Sequence, residues 1–69
     1  MNKYKIIYND KIRFYWAEDT YEAIEKFERQ NKVKVTVKMI DADSRGRCWA
    51  FGYILNDGTP TKEFLIDRI

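Results

Sequence analysis

The chain contains no histidine. That absence removes the side chain most often used as general base or metal ligand near neutral pH. A single cysteine, Cys48, excludes an internal disulfide and suits a reducing compartment. The three glycines, Gly46, Gly52 and Gly58, are isolated from one another, so no glycine-rich loop can cradle a phosphate. No apolar run approaches the roughly 20 residues of a membrane-spanning helix, and residues 1–8 lack the apolar segment of a secretory leader. Charge of one sign is scarce too. Thirteen basic and eleven acidic residues leave a net +2, short of the strong or clustered excess that marks most nucleic-acid-binding domains. These absences lead us to expect a cytoplasmic protein, one small domain over 1–69, with no cofactor, no metal, no membrane association and no catalysis.

Apolar and aromatic side chains, by contrast, are plentiful. Sixty-nine residues at 45% hydrophobic and 16% aromatic can form a core, and the small net charge argues against disorder. Residues 4–8 and 12–16 alternate in polarity around Asn9-Asp10-Lys11, a hairpin signal. A three-residue loop sets Tyr8 opposite Ile12, Ile6 opposite Phe14 and Tyr4 opposite Trp16, which makes one face uniformly apolar. A two-residue Asn9-Asp10 turn is chemically reasonable, but it sets Ile6 beside Arg13 and Lys5 beside Phe14. Registers that mix faces are disfavoured, so the three-residue loop is expected. Asp19 then caps a helix, with Glu22 completing a capping box. Thr20, Ala23, Ile24 and Phe27 fall on one helical stripe, and Asn31 suits the left-handed position at the end.

Val33, Val35, Val37 and Met39 alternate with Lys34, Thr36 and Lys38 in the clearest strand pattern of the chain. With Ser44-Arg45-Gly46 as a hairpin loop, Asp43 opposes Arg47, Met39 opposes Phe51, Val37 opposes Tyr53 and Val35 opposes Leu55. Asn56-Asp57-Gly58 is another turn signal. Residues 59–69 read as a further strand, an edge strand because Pro60 cannot donate to a ladder, although Thr59-Pro60 could also open a helix. The resulting fold class is α+β, ββαβββ, with one helix on a four- or five-stranded, largely antiparallel twisted sheet. Its first half, a hairpin followed by a capped helix and a strand, resembles the β-grasp arrangement of ubiquitin-like and immunoglobulin-binding domains. Resemblance at the level of fold implies no function.

Residues 48–55 are apolar on both faces. Trp49, Phe51, Tyr53 and Leu55 lie on one side, and Cys48, Ala50, Gly52 and Ile54 on the other. Such a strand wants cover above and below, yet the sequence holds one convincing helix. The expected register turns the aromatics toward the valines and the helix, leaving the small side outward. That side would carry Ile40, Ala50, Gly52 and Ile54 with Phe64 and Ile66 from the tail, bordered by Lys34 and Lys38. The function expected is therefore a small non-catalytic protein-binding module, of adaptor or inhibitor type, acting through this sheet face on another protein or on a second copy of itself.

The alternative is a single-stranded nucleic-acid binder. Arg47-Cys48-Trp49-Ala50-Phe51 resembles the basic-aromatic strand motif of RNA-recognition-motif domains. The resemblance covers one strand, with Cys48 where that motif has glycine and a different order of elements. In this reading Trp49, Phe51 and Tyr53 stack bases, Lys3, Lys5, Arg13, Lys34 and Lys38 are available for phosphates, and Arg47 belongs to the same nucleic-acid set. Two other constellations carry less. Asp41-Ala42-Asp43-Ser44-Arg45-Gly46 resembles the opening of a calcium loop, but the closing glutamate position falls on Gly52. Cys48 in an apolar strand reads as packing rather than as a nucleophile.

Overall fold

The computed structural model describes residues 1–42 and 48–69. The Ser44-Arg45-Gly46 loop, the Asp43–Arg47 pairing, Arg47 itself, part of the calcium-loop stretch and the side chain of Cys48 lie outside the described residues. Six elements follow the order β1 (Asn2–Tyr8), β2 (Lys11–Ala17), α1 (Thr20–Asn31), β3 (Lys34–Ala42), β4 (Cys48–Asn56) and β5 (Thr59–Arg68). The strands form one five-stranded sheet, β2-β1-β5-β4-β3, antiparallel at every pairing. The α+β class and the ββαβββ order are as the sequence implies. No helix among the described residues is long and apolar enough to cross a membrane.

The helix forms where its cap places it. The Asp19 side chain accepts from the Glu22 amide at 2.8 Å, and the Glu22 carboxylate accepts from the Glu18 amide at 3.1 Å. Thr20, Ala23, Ile24 and Phe27 are the buried stripe. The Lys26 ammonium donates to the Trp16 carbonyl at 2.6 Å and lies 3.6 Å from Glu22, fastening α1 to β2. At the far end the left-handed residue is Lys32 (φ 55°), not Asn31. Asn31 is occupied otherwise: its side-chain amide donates to the Phe27 carbonyl and the Tyr15 hydroxyl, and its oxygen accepts from the Tyr8 hydroxyl at 2.7 Å. Glu28 continues the tie into β3, accepting from the Val35 amide at 3.0 Å.

Tyr15 lies within this polar bridge, and burial raises its pKa above the ordinary 10.0 despite the Asn31 hydrogen bond. The folded state therefore holds the phenolic proton more tightly than the unfolded chain does. That contribution is complete below the unfolded value and is lost as pH rises through the folded one. The melting temperature should accordingly fall with pH above about 10, and Tyr15→Phe should flatten that fall. Thermal melts of both proteins between about pH 9 and about pH 11 check it; parallel slopes would remove Tyr15 as the cause.

Three features of the sheet depart from the sequence reading, and each has a local cause. The β1–β2 hairpin uses the two-residue turn: Tyr8 pairs with Lys11, Ile6 with Arg13 and Lys5 with Phe14. Asn9 and Asp10 both take positive φ (48° and 61°), the turn whose twist best matches a hairpin. Mixing the faces costs little because β2 is an edge strand, where Arg13 remains exposed. Between Val37 and Met39 the β3–β4 ladder shifts register, so Val37 pairs with Gly52 and Val35 with Ile54, while Met39 keeps Phe51. The bulge at Lys38 thus turns Met39 away from the valines. Finally, β5 is the central strand rather than an edge. Pro60 is tolerated there because it pairs with Leu55 on one side, whereas β1 engages β5 only from Phe64 onward.

The core lies between α1 and one sheet face. Tyr4, Ile6, Tyr15, Ala50, Phe64 and Ile66 meet Ala23, Ile24 and Phe27, with Val33, Val35, Val37, Ile40 and Ile54 packed around them. Phe27 is the hub, edge-on to Tyr8 and Tyr15 and stacked on Phe64 at 6.0 Å.

Candidate interaction surface

The register changes reverse the faces of β2 and β4. Side chains alternate across a strand, so Ala50, Gly52 and Ile54 lie on the helix side, and Trp49, Phe51, Tyr53 and Leu55 lie on the side that α1 does not cover. Ala50 and Phe64 are fully buried, Ile66 is 1% exposed, Gly52 is buried, and Ile40 and Ile54 pack on the core. The small-residue surface expected to face a partner is therefore the interior of the protein. The bulge at Lys38 set the small side of β4 with the valines, and the Asn9-Asp10 turn separately inverted β2. Of that set, only Lys34 and Lys38 remain exposed.

The nucleic-acid set divides. Lys3 and Lys5 share the open face with Trp49, Phe51 and Tyr53, whereas Arg13, paired with Ile6, lies on the helix side. The open face also carries residues absent from the sequence reading of the site. One row, Ile12–Ile7–Leu65–Phe51–Met39, crosses all five strands without a polar residue. The row beside it reads Phe14–Lys5–Asp67–Trp49–Asp41. Ile12, Phe14, Trp16, Met39, Trp49 and Leu65 are each more than a third exposed. Small clusters order this surface: the Lys3 ammonium sits 4.8 Å from the Phe14 ring centre and 6.0 Å from that of Trp16. The Trp49 and Phe51 rings lie nearly parallel, their centres 6.4 Å apart. These apolar side chains adjoin one another across the strands, unlike the singly scattered apolar residues of an ordinary surface. Giving full weight to the Asn9-Asp10 turn would have exposed half of it from sequence.

The electrostatics of the face are mixed. Trp49 pairs with Asp67 on one side and Asp41 on the other, and Tyr53 pairs with Glu63. A base stacked on Trp49 would bring its phosphate toward two carboxylates, against the positive track that single-strand binders use. The sheet edges suit strand addition poorly. Edge β3 bears the Lys38 bulge and Lys34, and edge β2 bears Lys11 and Arg13, the charges and irregularities that keep edges unpaired. Comparison with protein-family models, curated proteins and solved structures gives no match.

Proposed function

We propose that this chain is a non-catalytic protein-binding module whose contact surface is the open, aromatic face of its sheet. The observation that carries the reading is the five-strand apolar row from Ile12 to Met39, left uncovered by α1 and flanked by exposed aromatics and by charges of both signs. Such a surface fits a partner that offers an apolar patch with a mixed-charge surround, the composition of a protein interface with aromatic anchors at its centre.

Leu65→Glu tests the reading, because it sets a carboxylate in the middle of the row while leaving the opposite, core face untouched. A partner isolated on the immobilised wild-type chain, purified and rebound, should lose roughly 100-fold or more in affinity for the variant, with the circular dichroism unchanged. Equal binding to both proteins overturns it. Titration with single-stranded oligonucleotides is the second arm: salt-sensitive binding that Trp49→Ala abolishes would replace the protein partner with nucleic acid, and the absence of such binding supports the protein reading.

A further inference from the structure

We infer that the open face binds the open face of a second copy of this chain, about a two-fold axis that runs along the strands between β1 and β5. The inference rests on the proposed binding face and names its occupant. Its basis is the charge order of one row. Phe14–Lys5–Asp67–Trp49 reads aromatic, cation, anion, aromatic, and backwards it reads aromatic, anion, cation, aromatic. A two-fold axis between β1 and β5 superposes the row on its own reverse, since isologous interfaces set a surface against itself. Lys5 then meets Asp67 of the second copy, and Phe14 meets its Trp49, each contact occurring twice.

The neighbouring row obeys the same operation. Ile7 and Leu65 pair within the sheet, so Ile7 meets Leu65 of the second copy, and Ile12 meets its Phe51. No carboxylate faces a carboxylate in either row. Aligned sheet packing, with strands of the two layers within about 30°, is the ordinary geometry for two such faces. Four strands at ~4.8 Å and about six residues of each at ~3.3 Å give roughly 400 Å² of flat face per copy. With side-chain relief the two copies bury roughly 1,000 Å² together, at the lower bound for a specific interface. β3 lies outside this overlap, so Asp41 and Met39 form a rim. The outcome is a reversible dimer whose population follows concentration.

Charge exchange tests the pairing. Sedimentation of the wild-type chain from about 1 µM to about 500 µM should show monomer passing to dimer, with tryptophan emission shifting to the blue as Trp49 is covered. Lys5→Asp and Asp67→Lys, each folded by circular dichroism, should each weaken the dimer roughly 100-fold or more through like charges at both contacts. Mixing the two variants should restore a dimer, because both of these contacts between the copies then join unlike charges. A fold defect in either variant cannot produce that recovery.

A wild-type chain that stays monomeric at the highest concentration overturns the second copy as occupant and leaves the binding face to be judged by Leu65→Glu. A dimer that survives both charge variants, or a mixture that stays monomeric, overturns the two-fold arrangement. A dimer that also survives Leu65→Glu overturns the face itself.

Discussion

Gly52→Ala should lower the melting temperature by at least ~12 °C and leave a substantial unfolded fraction at room temperature. An added Cβ would stand 2.0 Å from the Thr36 carbonyl oxygen, 2.9 Å from its carbon and 2.9 Å from the Phe64 ring. Neither neighbour can yield cheaply. Thr36 lies in the β3–β4 ladder next to the bulge, and Phe64 is fully buried against Phe27. Overpacking a core commonly costs ~1–3 kcal/mol, and two rigid obstacles put this site at or above the top of that range. For a domain of this size ~3 kcal/mol corresponds to at least ~12 °C and is a large part of a stability of about 5 kcal/mol. Gly58→Ala is the control. Gly58 has φ 80° and nothing within 4 Å of an added Cβ, so the variant should lose only the ~1 kcal/mol of a left-handed alanine. Thermal melts of the two variants decide it; a Gly52→Ala protein melting within a few degrees of wild type would show that β3 and Phe64 move more freely than their packing implies.

The elements of this protein were legible in its sequence, and the faces of its sheet were not. Asp19, Glu22 and the stripe to Phe27 specify α1 through contacts a few residues apart, so local chemistry suffices. A strand's identity is equally local, but its face depends on pairing, and one residue of slip exchanges the two sides. At Asn9-Asp10 the turn's own geometry prevailed over uniform faces, since an edge strand can leave Arg13 in solvent. Nothing in Val35-Thr36-Val37-Lys38-Met39-Ile40 announces a bulge, because uninterrupted alternation through Met39 is an equally good pattern. The bulge gains meaning only with Gly52 and Phe64 in place: bringing Val37 beside Gly52 lets Phe64 from β5 cover the glycine. Pro60 likewise suggested an edge, when the ladder on its second side simply begins four residues later. Residues 48–55 are apolar on both sides, as the sequence reads, but α1 covers the side of the small residues and the aromatic side stays open. The candidate surface moves accordingly, from the small residues to the aromatic ones.

Aromatic substitutions should therefore separate into two groups, with Phe27→Ala severely destabilising and Trp16→Ser nearly silent. Phe27 is fully buried and touches rings from three strands: Tyr8 at 4.8 Å and 76°, Tyr15 at 6.3 Å and 85°, and Phe64 at 6.0 Å and 29°. Removing it leaves a cavity beneath α1, and buried Phe→Ala changes cost ~3–5 kcal/mol, comparable to the whole stability of a domain this small. Phe27→Ala should be largely unfolded at 25 °C, or fold only with its midpoint displaced far toward water in a urea titration. Trp16 is 58% exposed on the open face, and its replacement gives up the Lys3 contact and some cross-strand packing, within about 1 kcal/mol. What Trp16→Ser should disturb instead is the surface proposed for association. Urea midpoints of the two variants, each measured at low protein concentration so that association does not contribute, test the assignment of faces directly. A Trp16→Ser midpoint as low as that of Phe27→Ala would place Trp16 in the interior and return β2 to the three-residue turn.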